Sequence, residues 1–235
     1  MLEKKSVSMG ESFEHTSLGD NLWLKDINGE PTSAKKLSFT LPNGLQATYG
    51  QIQALSGDYF ATLSPISDGA TESARQERFS KAWETLAKNA QAKEAAAKVT
   101  DIIQKEEEAV CIALLNNKQP STAYPHGPVA FLKSSIEIQK AMKPVVDYAR
   151  LHSVDWDHFG EDGHLVYNTG HEAAIQYAMS GDSDLHLAYA MNAFADHFLT
   201  DAFSAGHMRT PRREFPNTTY ALACAKVCTH WIRMA

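Results

Sequence analysis

The sequence predicts a mainly α fold: a single-domain, helical bundle-like core with a small β-hairpin near residues 36–50. Three observations predict it. Residues 71–96 are rich in Ala, Lys, Glu and Gln with few β-branched residues, and 98–117 carry Val99, Ile102, Ile103, Val110, Ile112, Leu114 and Leu115 in a helical pattern. The second half repeats this habit, with helical stretches near 164–179 and 184–205 separated by Gly181-Asp182-Ser183. Only one stretch alternates as a strand does: Lys36-Leu37-Ser38-Phe39-Thr40-Leu41, followed by Pro42-Asn43-Gly44 and the extended Leu45-Gln46-Ala47-Thr48-Tyr49.

The remaining elements follow in order. Residues 1–35 are polar and carry several turn formers. Gln51 to Leu55 read as a short helix that Ser56-Gly57 stops, with Asp58 directly after. Glu106-Glu107-Glu108 is a solvated helix face. Residues 119–128, with three prolines and a glycine, break the helical pattern, and a helix follows to about 151. A loop carrying Asp155, Trp156, Asp157 and His158 precedes the 164–179 helix, and a last helical segment is expected from Thr218 to Trp231. No internal repeat or low-complexity linker divides the chain, so residues 1–235 are read as one domain.

Composition limits the function classes. Of the 235 residues, 43% are apolar and 21% charged, as in ordinary globular proteins. The net charge of −6 argues against a nucleic-acid-coating protein, and no stable nucleic-acid partner is expected. No run reaches the roughly eighteen apolar residues of a membrane span. The start, Met1-Leu2-Glu3-Lys4-Lys5-Ser6-Val7, lacks the apolar region of a secretory signal. A cytoplasmic location, or export by a signal-independent route, is expected. Cys111, Cys224 and Cys228 are an odd number, which suits reduced thiols; Cys224-x3-Cys228 with His230 lacks one ligand for a metal site.

The most informative stretch is Ala195 to Arg212. His197 and Asp201 are four residues apart, which on a helix puts both side chains on one face, about 6 Å apart along the axis. Gly206 can end that helix in a left-handed conformation and let the chain bring His207 back to the same or a neighbouring ion. An alternative reading has the histidines as hydrogen-bonded spectators on a helix whose core side is Phe194, Phe198 and Phe203. Metal binding is favoured, because burying imidazole and carboxylate together is costly unless something pairs them. Nitrogen and oxygen donors without thiolate suit zinc well, and manganese or iron less securely.

The chain has ten histidines, and His152, His158, His164, His171, His186, His197 and His207 fall close together. Not all are ligands. His186 lies about three turns before His197, too far to share an ion. His171-Glu172 begins like a zincin motif, but Ile175 occupies the second histidine's place. No Gly-x-Ser-x-Gly elbow, Walker loop or Gly-x-Gly-x-x-Gly is present.

Asp196-His-Phe-Leu-Thr-Asp-Ala-Phe-Ser-Ala-Gly-His-Met-Arg209 resembles the zinc-dependent phospholipase C superfamily, which includes the fungal single-strand nucleases, and looks most like its bacterial phospholipase C-like branch. Asp157-His158-Phe159-Gly160 resembles the family's His-Phe segment, and Ser56-Gly57-Asp58-Tyr59-Phe60 its Asp-Tyr segment. The resemblance implies a cluster of up to three zinc ions held by His15, Asp58, His158, His197, Asp201 and His207, with Asp201 bridging two ions and Asp58 also acting as a base. Residues 70–150 would then be an insertion. Arg209, Arg212 and Arg213 follow His207 closely and could contact a substrate phosphate, or could lie in a solvated loop.

The implied activity is zinc-dependent phosphodiester hydrolysis of phospholipase C type, at a phospholipid or membrane surface, giving diacylglycerol and a phosphorylated head group. A single-strand nuclease or nucleotidase on the same cluster is the alternative, and an impaired homologue is a third reading. The family's processed N-terminal tryptophan and its His-x3-Glu pair after the His207 position have no match here. A C-terminus truncated or altered relative to the family, fewer than three tightly held zinc ions and reduced activity are therefore expected. His126, His171 or His230 are the residues that could complete the site.

Overall fold

The computed structural model describes residues 12–118, 136–151, 153–154, 156–181, 184–208 and 210–214. They form a mainly α fold with two small antiparallel hairpins. Helix α1 spans Ser12–Asp20, α2 Tyr49–Leu55, α3 Glu72–Ala87 and α4 Ala90–Leu115. Residues 136–142 form α5, Tyr148–Leu151 α6, Gly160–Met179 α7, Leu185–Ala202 α8 and Ala205–Met208 α9.

Side-chain caps set several boundaries. Thr48 and Gln51 form a reciprocal capping box at the start of α2, Thr71 caps α3, Asn89 caps α4 and Asp184 caps α8. Each cap satisfies a backbone N–H that the helix itself cannot. The capping role of Thr48 shortens the expected hairpin: β3 is Phe39–Thr40 and β4 is Gln46–Ala47, and Tyr49 already belongs to α2. On the other side, Lys36, the first residue of the expected strand, ends a 3-10 turn that spans Ala34–Lys36.

The hairpin turn itself is where the sequence places it. Gly44 N–H donates to Leu41 O at 2.7 Å, and Gly44 has φ +80°, a conformation that disfavours any side chain. Asn43 pins the turn to the α3–α4 junction, its side chain donating to Leu86 O and Asn89 O and its N–H to Ala87 O. A second hairpin, β1 (Trp23–Lys25) with β2 (Pro31–Ser33), lies in the region read only as polar and turn-rich. Its strands have three residues each, too few to show an alternation.

The core is built on α8. Ala190, Ala193, Phe194, His197, Phe198 and Asp201 are buried along one side of it, at helical spacing. Helix α7 packs along α8, α2 packs against α8, and α1 packs on α2. Phe194 is fully buried and meets Phe79 and Trp83 edge-on, at 5.7 and 5.9 Å between ring centroids. Replacing it leaves a cavity between α3 and α8, so Phe194→Ala is expected to cost about 3–5 kcal/mol. Urea unfolding should show a lower midpoint with an unchanged slope; an unchanged midpoint would contradict this packing. No helix among the described residues is long and apolar enough to cross a membrane.

Candidate metal centre

Two of the six expected donors are delivered by α8, whose buried face carries His197 and Asp201 one turn apart. The other four come from separate segments. Helix α1 brings His15. The 3-10 turn Trp156–His158 brings His158, and α9 brings His207. Asp58 lies in a single π-helical turn, Ser56–Phe60, that continues α2. Ser56-Gly57 thus widens the helix where it was expected to stop, a device common at functional sites. Ser56 docks the turn onto α8 by donating to Phe194 O at 2.6 Å.

Gly57 is needed there. A Cβ at this position would come within 2.6 Å of His158 Cε1 and of His197 Cδ2. The backbone therefore touches both rings, and only hydrogen fits between.

Asp201 is the hub. Its Oδ2 lies 2.7 Å from His158 Nδ1 and 3.3 Å from His197 Nε2, while its Oδ1 lies 3.4 Å from His15 Nε2 and 3.9 Å from His207 Nδ1. The two oxygens thus face different pairs of imidazoles. His197 Nε2 is also 3.0 Å from His158 Nδ1, and the His15 and His197 rings stack at 4.3 Å. Donor atoms of His158, His197 and Asp201 lie within 4.8 Å of one another, as do those of His15, Asp58 and His197. His15, His158, His197 and Asp201 are all 5% exposed or less, and Asp58 is half-buried.

Hydrogen bonds orient the rings. His197 Nδ1–H donates to Gln53 O at 3.0 Å, so the Nε2 lone pair points inward at Asp201. His15 Nδ1 bonds Thr200 Oγ1 at 2.7 Å, turning its Nε2 to Asp201. Asp157 accepts from the N–H and the hydroxyl of Ser67 and from Ile66 N–H, which fixes the turn that carries His158.

The charges of the cluster are displaced from their ordinary values. Burial pushes His197 down to about 3, with the neighbouring His15 adding to the effect. Burial also disfavours a charge on His15, but the Asp201 carboxylate, by charge and hydrogen bond, and then Asp58, outweigh it and raise its pKa. Burial alone would raise Asp201; the imidazoles of His207, His197 and His15 hold it well below the usual carboxylate range. Asp58 is likewise lowered against its burial by His197 and His158.

These residues fit a cation. An imidazole lone pair facing a carboxylate oxygen at 3.3–3.4 Å is repulsive unless a proton or a metal ion lies between them. The cluster repeats that juxtaposition on both sides of Asp201, with nitrogen and oxygen donors only. Buried His and Asp groups here can hold a metal ion. Orienting partners already stand behind two of the histidines, Gln53 O behind His197 and Thr200 Oγ1 behind His15.

Other expectations resolve differently. Helix α8 ends at Ala202 with Phe203 as its cap, and Gly206 sits inside α9, so the reversal before His207 does not use a glycine C-cap. Phe203 is 67% exposed and is not part of the core side of α8. Arg212 is buried and donates to Ser153 O at 3.1 Å. Arg213 pairs with Asp162 and Asp68 and stacks over Trp156, 5.2 Å from the ring centroid. His171 bonds Asn192 Oδ1 at 2.7 Å, away from the cluster, and His186 meets the Phe39 ring. Arg209, His126, His152, His230, Cys224, Cys228 and the helix expected at 218–231 lie outside the described residues.

Sequence reasoning missed Gly57, Asp157, Gln53 and Thr200. Asp157, Gly57 and Thr200 stand beside the expected ligands His158, Asp58 and Asp201, and that adjacency was the available signal; Gln53 carried none. No family model, curated protein or solved structure matches the chain. The fold and the cluster therefore define a class only: a mainly α protein whose buried His/Asp group can hold a metal ion.

Proposed function

We propose that this protein is a zinc-dependent phosphodiesterase of phospholipase C type, cleaving glycerophospholipids to diacylglycerol and a phosphorylated head group. One observation carries the reading. Residues scattered from His15 to His207 meet around the single carboxylate of Asp201, in a shell of nitrogen and oxygen donors. When bound, zinc supplies Lewis acidity for water activation and for neutralising phosphate oxygens. His15, His158, His197 and His207 would hold it. Asp201 can bridge two ions, because its oxygens face separate histidine pairs.

Asp58 has the role of base. It is the half-buried carboxylate of the cluster, and Ser12 Oγ donates to its Oδ2 at 3.4 Å. Kept ionised by its histidine neighbours, it can orient the attacking water and take its proton as oxygen adds to phosphorus, and that proton can then pass to the glyceryl oxygen as its bond to phosphorus breaks. A lipid substrate is favoured over nucleic acid by the net charge of −6 and by the pairing of Arg213 with Asp68 and Asp162. Fewer than three zinc ions should bind tightly, since the described donors form two groups that share His197.

The test is zinc analysis of the purified full chain with assays on phosphatidylcholine vesicles and on single-stranded DNA. Zinc with lipid turnover supports the reading. DNA cleavage would move it to a nuclease, zinc without either activity to an impaired homologue, and absence of zinc would sink it. Asp58→Asn should then lower lipid turnover by about 10²–10⁴-fold while circular dichroism stays unchanged; full activity in that variant would remove Asp58 from the mechanism.

A further inference from the structure

We propose that Thr200 is a positioning residue that fixes the tautomer of His15 and so aims its Nε2 lone pair at the metal. The inference rests on the metal-centre reading above. A threonine hydroxyl has one hydrogen to donate and two lone pairs to accept with. Thr200 Oγ1 lies 2.8 Å from His197 O and 3.1 Å from Asp196 O, carbonyls one turn back on α8 that can only accept. Its single hydrogen is therefore committed to the helix backbone.

The lone pairs must take the other two neighbours. Gln53 Nε2 lies 3.1 Å away, and the same nitrogen reaches Asp196 O at 3.4 Å. That carbonyl accepts only, which fixes the nitrogen end of the Gln53 amide towards α8. The last neighbour is His15 Nδ1 at 2.7 Å, and with the hydroxyl hydrogen already used, Nδ1 must carry the proton. A neutral His15 is then left with its lone pair on Nε2, the atom facing Asp201 Oδ1 and the Asp58–His197 group.

Gln53 links the two histidines. Its carbonyl receives Nδ1–H of His197, and its side chain fills one lone pair of Thr200. The side chain is 1% exposed, so water does not compete for this arrangement. Threonine at 200 thus does for His15 what the α2 backbone does for His197. Hydrogen-bond partners of this kind typically change metal affinity by 10–100-fold when removed.

The experiment compares wild type with Thr200→Val, which keeps shape and loses the hydroxyl, and Thr200→Ser, which keeps the hydroxyl. Zinc affinity is read by competition titration of the full chain. The His15 tautomer is read by nitrogen-15 NMR of the metal-free protein at alkaline pH, where the ring is neutral. The expected result is a loss of about 10–100-fold in zinc affinity for Val, recovery in Ser, and an Nδ1–H tautomer in wild type and Ser that Val loses. Thr200→Ala repeats the test if Val does not fold. Unchanged zinc affinity in Val, or an Nδ1–H tautomer that persists without the hydroxyl, would overturn the proposal. If wild type binds no zinc, the metal-centre reading fails, and the tautomer comparison alone decides the role of Thr200.

Discussion

Asp201→Ala is expected to abolish metal binding. No other described residue has its place: one oxygen within 3.3 Å of His158 and His197 nitrogens, the other facing His15 and His207. Removing the carboxylate takes away a donor from each side and the negative charge that lies between the four imidazoles. Zinc affinity should fall by well over the ~100-fold typical of losing an orienting partner, and lipid turnover with it. Asp201→Asn separates charge from shape, since it keeps the size but can ligate only through a neutral oxygen. A third readout distinguishes the site from a purely structural ion-pair cluster. There, breaking a buried pair would cost about 3–5 kcal/mol of stability in protein that had never held metal. In a metal centre, added zinc should stabilise wild type and fail to stabilise either variant. Equal zinc-dependent shifts in melting temperature for wild type and Asp201→Ala would refute the assignment.

Gly57→Ala should have an effect nearly as large through one methyl group. The added carbon would sit 2.6 Å from His158 Cε1 and His197 Cδ2 and 2.7 Å from His197 Nε2. Neither ring can yield freely. His197 is fully buried and tied to Gln53 O, and His158 is held by Asp201 and by the turn that Asp157 anchors. The π-helical turn must then lift from α8, straining the Ser56–Phe194 hydrogen bond and moving Asp58 away from the histidines. Overpacking of this kind costs about 1–3 kcal/mol, so the protein should still fold. Far-UV circular dichroism is expected to be close to wild type, with zinc binding and activity largely lost. A Gly57→Ala protein with normal zinc content would show that the turn does not approach the rings this closely.

The fold was legible where local signals repeat. Alanine-rich helical stretches with apolar spacing announced α3, α4, α7 and α8, and Pro42-Asn43-Gly44 announced the hairpin turn. The β1–β2 hairpin was not legible, because three-residue strands carry no period and Asp26-Ile27-Asn28-Gly29 shows only a turn. In the site, the four-residue spacing of His197 and Asp201 is a property of one helix and could be read directly. His15, Asp58 and His158 entered through resemblance alone, and the structure places them with His197 and Asp201. The supporting residues were hidden for a physical reason. Thr200 and Gln53 act on rings that belong to other segments, so their importance depends on tertiary contact that no local pattern encodes. Ser56-Gly57 looked like a helix stop because glycine usually weakens helices; here the missing side chain makes room for two imidazoles.

The contacts that hold the cluster span very different lengths of chain. His158 and Asp201 are 43 residues apart, Ile66 and Asp157 are 91, Gln53 and His197 are 144, and His15 and Thr200 are 185. Closing loops of that size costs entropy before any contact rewards it. Of the two donor groups, His158, His197 and Asp201 lie within the segment 158–201, whereas His15, Asp58 and His197 come together only when α1, the turn after α2 and α8 have all met. An ion bound by that second group would therefore depend on contacts between the two ends of the described chain.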